Sequence, residues 1–361
     1  MTAFAGVATI ALSYRFVKRI WGITIKDVAR KAGVSPITVS RAFSGAHPVA
    51  VKTQHKIFAA AEALEYVPHL MARALASKHT PMIGAVVTTL SNPFFSPVID
   101  AVHEVAQQSG YLTIINQSKA DPDLEVAGLE HLRQMRTAGV LVVSVLPTLD
   151  HLEHLRDAGI AVVLMARRWP AGDYVAVDHF AGGYLAGKHL CSLGHRKIAC
   201  VAAKHSLVPA ATETIEGFRA ALREHDVLFS PDSMIWTNQV QVDEGIRAAD
   251  ALLELADQPT AVFITADHQA VGVLHRLRKR GVRVPDDVAV VGHDDIRYAE
   301  FMEVPLTTVA LPKYEIGERA AEILLARIQN SASLNDEFQQ VLLEPTLIVR
   351  TSCGATRPPA H

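Results

Sequence analysis

Cysteine is scarce: Cys191, Cys200 and Cys353 are the only three in 361 residues. None stands in a C-x-x-C pair, and none is followed by histidine at zinc-ligand spacing. A disulfide framework and a structural zinc site are therefore both unwritten here. The three read as small buried hydrophobes, and free cysteines point to a reducing compartment, the cytoplasm. Long apolar runs are missing too. Residues 3–12 form an apolar stretch of ten, half of the roughly 20 residues that a membrane-spanning helix needs. Its basic neighbours Arg15, Lys18 and Arg19 follow it, whereas an export signal places them before. No membrane partner is expected. Nor is disorder, because hydrophobic residues make up 49% and charged residues 20%, the balance of a globular chain.

Enzyme signatures are thin as well. There is no G-x-G-x-x-G, which argues against a dinucleotide-binding dehydrogenase. Gly182 to Lys188 fits G-x-x-x-x-G-K, but the next residue is His189, not the Ser or Thr that holds magnesium in a phosphate loop. Close helix packing is the better reading of those glycines. His293-Asp294-Asp295 follows an apolar strand and reads as hydrogen-bond acceptors for a ligand rather than as a metal or acid–base group. No nucleophile and base stand together. No catalytic residue, metal ligand or cofactor is assigned.

What the sequence does contain is a charge asymmetry. Residues 1–79 carry eleven Lys and Arg against Asp27, Glu62 and Glu65, so the front bears +8 and the remainder −10. A basic piece on an acidic body suggests that the front alone meets a polyanion. The same stretch has the pattern of three short helices. Thr24 is an N-cap with Asp27 three residues on, Ile25, Val28, Ala29 and Ala32 share one face, and Gly33 ends the helix. Ser35 caps a second helix with Pro36 in its first turn, and Val39, Ala42 and Phe43 point inward. A third, about Val51 to Leu64, supplies Ile57, Ala60, Ala61 and Leu64. Two short helices joined by a glycine turn make a helix-turn-helix. Its exposed face holds Ile37, Thr38, Ser40 and Arg41, hydroxyls that suit phosphate and an arginine that suits guanine.

These motifs, Thr24-Ile25-Lys26-Asp27-Val28-Ala29, Ala32-Gly33-Val34-Ser35, Thr38-Val39-Ser40-Arg41 and Glu65-Tyr66-Val67-Pro68, resemble the head of the lactose-repressor (LacI/GalR) family of bacterial transcription regulators. The resemblance runs to about Arg350. It implies that Pro36, Ile37 and Arg41 face base edges, beside Thr24, Ser35, Thr38 and Ser40 as further DNA contacts. It also implies a hinge helix after Pro68, with Met71 and Arg73 at the DNA and Leu75 wedged into the minor groove, bending the duplex. A lone surface leucine in a linker is the plainer alternative for Leu75. His69 departs from the family's usual asparagine cap.

From Pro81 on, apolar strands alternate with helices, the pattern of buried parallel sheets. Two successive sets imply two doubly wound halves, which bind ligands at the carboxyl ends of their strands. The expected fold is α/β: an all-helical head plus a two-lobed, periplasmic-binding-protein-like body. The boundaries are 1–22 for an extension, disordered or a start-site artefact with Val17 as an alternative initiator, 23–67 for the head, and 68–80 for hinge and linker. The body is 81–350, with lobe 1 at 81–177 and 306–336 and lobe 2 at 178–305 and 337–350, crossing near Asp178, Leu306 and Glu337. Residues 351–361 are a tail without leucine heptads, so no tetramerising segment is expected.

Effector positions carried over from the resemblance are mixed. Asn92, Phe94 and Phe95 match, with Phe94 or Phe95 expected to stack on the effector; core packing without ligand contact is the alternative. Asp267 and Asp294 match as well. Thr214 stands where the family's effector-contacting arginine would be, Val240 replaces a common aromatic, and Ala166 replaces an acid, with Arg167 and Arg168 following. Arg167 either meets an anionic effector such as a sugar acid or lies on solvated surface. The expectation is a cytoplasmic homodimer, a repressor of transcription that binds double-stranded operator DNA under control of a small polar effector. A transport-type solute-binding protein is the rival, and it would not carry +8 on a helix-turn-helix.

Overall fold

A computed structural model describes residues 23–44, 48–66, 80–204, 209–329 and 337–355. The chain divides into two compact units, Met1–Met82 with Gln134–Ala138, and Ile83–Arg133 with Gly139–His361.

Among the described residues the head has three helices, α1 (Ile25–Ala32), α2 (Pro36–Ser44) and α3 (Val51–Ala63). Local chemistry sets their ends. The Thr24 backbone N–H and hydroxyl both donate to Asp27 Oδ2, at 3.0 and 2.6 Å, a capping arrangement that satisfies groups left open at the helix start. Those bonds hold the Asp27 carboxyl below its usual range. Gly33 takes φ 69°, and its N–H returns to the Ala29 carbonyl. Ser35 Oγ accepts from the Thr38 N–H at 3.1 Å, so α2 begins where its sequence says it should. Val28, Val39 and Ile57 are fully buried where the three helices meet, with Ala29, Ala42, Ala60 and Ala61 around them.

The body holds two six-stranded sheets. The first runs in the order β11 (Gln340–Leu343), β5 (Asp173–Val177), β4 (Ala161–Met165), β3 (Gly139–Val142), β1 (Met82–Val87), β2 (Leu112–Gln117). The second runs β12 (Thr346–Ile348), β10 (Thr307–Ala310), β9 (Ala289–Asp294), β8 (Ala261–Ile264), β6 (Ile198–Ala203), β7 (Met234–Thr237). Alternate residues of each strand serve opposite faces. In the first sheet Ile83, Ala85, Leu141 and Val163 face α4 (Phe95–Gln108) and α11 (Lys313–Gln329), while Val86, Val140, Val142 and Val162 face α5 (Pro122–Gln134) and α6 (Asp150–Asp157). In the second, Cys200, Phe263 and Val291 face α7 (His179–Ser192) and α8 (Pro209–Glu224), while Val201, Val262 and Val290 face α9 (Val242–Leu253) and α10 (Asp267–Lys279). Sheets covered on both faces explain the unbroken apolar strands.

The chain passes between the sheets three times, always from the carboxyl end of a strand: β5 into α7, β10 into α11, and β11 into β12. The first crossing is at Asp178, as the sequence suggests. The second and third come later than Leu306 and Glu337. Thr307 pairs with Val291 in the second sheet, and Gln340 pairs with Tyr174 in the first, so each strand completes its ladder before the chain leaves. The one antiparallel pair among the registered strands, β12 on β10, follows from the same geometry. A strand that enters the second sheet at its carboxyl edge can only run away from that edge. Among the described residues, no helix is long and apolar enough to cross a membrane.

Candidate functional site

In the head, α2 turns its buried side to the core through Val39 and Ala42 and leaves Pro36, Ile37 and Arg41 exposed. Ile37 and Arg41 are one helical turn apart, hence on one face. Ser40 and Thr38 are half-buried beside them, and the Thr38 and Ser35 hydroxyls share a hydrogen bond of 2.8 Å. Thr24 is exposed at the start of α1. Met71, Arg73, Leu75 and the capping position His69 lie outside the described residues.

In the body, the carboxyl ends of the strands carry the polar groups. At β9, Asp294 and Asp295 both have positive φ, 120° and 51°, a conformation that costs a non-glycine residue of the order of 1–3 kcal/mol unless its surroundings fix it. Several groups fix it. The Lys313 ammonium, at the start of α11, donates to the Asp294, Asp295 and Leu311 carbonyls. Arg350 pairs with the Asp295 carboxylate at 2.8 Å, and the Asp295 N–H donates to Thr308 Oγ1. Burial depresses the Lys313 pKa, opposed by the three neighbouring carboxylates of Asp294, Asp295 and Asp267.

Asp267 lies behind this turn. It is fully buried, accepts from the Thr308 hydroxyl at 2.7 Å and from the Ile296 N–H at 3.0 Å, and sits so close to Gly292 that any Cβ there would lie 2.0 Å from its Oδ1. Burial, then the Asp294 charge, pushes its pKa well up. Asp294 keeps a small exposed edge, its side chain being 12% accessible. Two carboxylates that look alike in sequence thus occupy different stations, one a closed brace and one buried but for a small exposed edge.

On the lobe 1 side, Asn92 caps a turn by accepting from the Phe94 N–H at 3.0 Å. Phe94 and Phe95 are buried in the core and packed edge to face. Arg167 donates to the Leu146 and Pro147 carbonyls, which places it within lobe 1's own loops. The loop it grips is anchored by buried Glu125, which accepts from Ser144 Oγ at 2.6 Å and from the Val145 N–H at 2.8 Å. Thr214 is buried, its hydroxyl bonded to the Ala210 carbonyl within α8. The glycines of the phosphate-loop look-alike are packing glycines: a Cβ on Gly183 would lie 1.8 Å from the Thr214 carbonyl oxygen, and one on Gly187 2.9 Å from that of Phe218.

Between the lobes lies a cavity of about 40 Å³ lined by Ala166, Arg167, Arg168, Ala176 and Val177 of lobe 1 and by His179, Ala210 and Glu213 of lobe 2. That is room for one or two waters. His179 is the feature that sequence reading passes over. It follows the first crossing, meets the Ala166 carbonyl at 3.2 Å and lies 6.3 Å, ring to ring, from His293. Burial, then the His293 neighbour, lowers its pKa to about 4. The sequence signal is present in the strand end Val177-Asp178-His179, but nothing local says that this ring folds inward. Arg168, Glu213 and Lys313 are likewise missed by the sequence as partners of the cleft. Among the described residues no cluster of His, Cys, Asp and Glu is placed to hold a metal ion.

Residues 24–69 match the model for bacterial regulatory proteins of the lacI family, and residues 188–353 match a periplasmic binding protein-like domain. The chain is 37% identical over 332 residues to the HTH-type transcriptional repressor PurR of Vibrio atlanticus (strain LGP32), covering 91% of this chain and 98% of that protein. Among solved structures it resembles the lac repressor dimer bound to operator and the anti-inducer ONPF, with a TM-score of 0.78, 25% identity, and 92% of this chain and 99% of that one covered. It also resembles a LacI family transcriptional regulator from Enterococcus faecium with bound ribose, with a TM-score of 0.67, 29% identity, and 76% and 100% covered. The chain belongs to the lacI family of bacterial regulatory proteins, and it is a helix-turn-helix transcriptional repressor rather than an enzyme.

Proposed function

We propose that this repressor works as a homodimer on a near-palindromic operator, and that a small polar effector, a sugar or sugar acid, held between the lobes sets its operator affinity. The observation that carries the reading is a cavity at the first crossing, at strand carboxyl ends, lined by residues of both lobes. A ligand there touches both lobes at once, and so can bias their relative position. The cavity is too small for a monosaccharide, so binding goes with a parting of the lobes. Asp294 offers an acceptor for hydroxyls. With Arg167 engaged by carbonyls of its own lobe, Arg168 is the cation assigned to an acid group. In this reading Asn92, Phe94 and Phe95 are assigned to the lobe 1 side once the lobes part, with Asp267 and Thr214 bracing from behind. Ribose in the Enterococcus faecium regulator agrees with a polyol-like ligand.

The dimer reading rests on exposed apolar groups. Phe301 is 74% exposed and Tyr298 59%, while Leu112 and Ile115 are exposed on the edge strand β2. Such surface suits a second copy, and one recognition helix alone reads too few base pairs.

Fluorescence anisotropy on an operator duplex, with a panel of sugars and sugar acids added in turn, tests both parts. One ligand class should change operator affinity at least about tenfold, within the range of a bond to a charged group. Asp294→Ala should abolish that response while leaving operator affinity without ligand unchanged. A full response in Asp294→Ala would remove this residue from the site, and Phe301→Glu remaining dimeric in sedimentation would displace the interface.

A further inference from the structure

We propose that the head reads its operator half-site through thymine methyl groups, with Ile37 as the reading residue and Pro36 beside it. This rests on the head's reading an operator. The head has a very small core, in which Val28, Val39 and Ile57 are completely enclosed. Yet Ile37, on the same helix as Val39, is 65% exposed. A β-branched apolar residue about two-thirds exposed at the first turn of α2 contributes little to the head's core, and it gains when a partner covers it.

The chemistry of its surroundings says which partner. The two hydroxyls of this turn, Ser35 and Thr38, are bonded to each other at 2.8 Å, and Ser35 also accepts the Thr38 N–H. Capping therefore occupies them, and the front of the helix presents hydrocarbon from Pro36 and Ile37. The segment Pro36–Ser44 contains no Asn or Gln, so the bidentate partner of adenine is absent from α2. In the major groove one base edge is apolar, the C5 methyl of thymine. Isoleucine is also stiff at χ1, so it loses little freedom on docking. The hydrogen-bonding reader of this face is Arg41, one turn further along, which suits guanine. The half-site then combines a thymine under Ile37 with a guanine within one helical turn of it.

The test uses the full chain. Binding sites are enriched from a random duplex library, and the preferred thymine is replaced by deoxyuridine, which removes the methyl and leaves every hydrogen-bonding group. Binding should weaken about threefold to fivefold for one half-site, as expected for one buried methyl, and roughly tenfold or more when both halves are changed. Ile37→Ala should weaken binding to the thymine duplex by a similar factor, and deoxyuridine should then have no further effect. Ile37 is exposed, so the variant should melt with the wild type. Five-methylcytosine in place of cytosine at that position should restore part of the affinity in the wild type only. Unchanged binding to the deoxyuridine duplex, or a full deoxyuridine effect surviving in Ile37→Ala, overturns the proposal. A library yielding no preferred sequence would overturn the operator reading beneath it.

Discussion

Asp267 and Asp294 show how much a residue's role depends on what encloses it. Asp267 satisfies two donors, the Thr308 hydroxyl and the Ile296 N–H, at a site closed to solvent. Asp267→Ala orphans both and should lower unfolding stability by about 3 kcal/mol, since each unmet buried group costs about 1–3 kcal/mol. Burial favours the neutral acid there, and an amide has nearly the same shape: its oxygen can accept from the Ile296 N–H while its NH2 donates to the Thr308 oxygen. Asp267→Asn should therefore stay within about 1 kcal/mol of wild type. Urea unfolding of the two variants checks the pair; equal losses would mean that the charge itself holds the turn. In sequence the two residues differ only in following different strands. A sign of the difference is present in Gly292, whose missing Cβ admits the Asp267 carboxylate, but that closeness links positions far apart in the chain and is not a local pattern. The left-handed pair at Asp294 and Asp295 is hidden for the same reason, because aspartate tolerates that region better than most residues without requiring it.

Elements are most legible where their ends are chemically marked. Thr24 with Asp27, Gly33, and Ser35 with Pro36 fix α1 and α2 through bonds between near neighbours in the chain, and each is readable. Strands β10 and β11 are recognisable as strands but not as members of a particular sheet, since membership is decided by pairing with β9 and β5 across long loops. Hence the sequence places the second and third crossings too early. The helices α7 and α8 carry the same lesson in the opposite direction. A G-x-x-x-x-G-K spacing suggests phosphate, and the missing hydroxyl after Lys188 refutes it, but only the packed pair explains why the glycines are there. Gly183 faces the Thr214 carbonyl, and Gly217 on the partner helix faces that of Phe180. Gly183→Ala would force backbone apart, not a flexible side chain, and should cost about 3 kcal/mol, at the upper end for overpacking. The thermal midpoint should drop accordingly, whereas Gly194→Ala, at a positive φ of 89° with open space around it, should cost only about 1 kcal/mol. Equal shifts would show that helix contact is not what selects glycine at position 183.

At the scale of the whole molecule, the buried imidazole at the first crossing ties stability to pH. His179 has a folded pKa of about 4 against an ordinary value of 6.5. The folded protein thus refuses a proton that the unfolded chain accepts. Its contribution is fully present above pH 6.5, declines as the pH falls below that, and is lost once the pH passes about 4. A tenfold difference in proton affinity between the two states corresponds to about 1.4 kcal/mol, so the loss between pH 7 and pH 5 is about 2 kcal/mol. Asp267 acts with the opposite sign. Its raised pKa makes its contribution largest in acid and has it decline as the pH rises through the folded value. Total stability against pH therefore mixes the two, and the difference between wild type and a variant isolates one. His179→Phe keeps a ring in the space, removes the titration, and sacrifices the bond to the Ala166 carbonyl, a constant offset of about 1 kcal/mol. Measured by urea unfolding at fixed protein concentration, the wild type should lose about 2 kcal/mol more than His179→Phe between pH 7 and pH 5. Parallel curves over that interval would mean that the His179 ring takes up its proton in the folded state as freely as in the unfolded one, and that the junction between the lobes opens to water. His179 meets the Ala166 carbonyl of lobe 1 from the first turn of a lobe 2 helix; that carbonyl favours the proton, while burial and the neighbouring His293 oppose it, so parting the lobes to admit water relieves the cost before either lobe unfolds. Operator affinity should accordingly shift at a higher pH than the unfolding midpoint does.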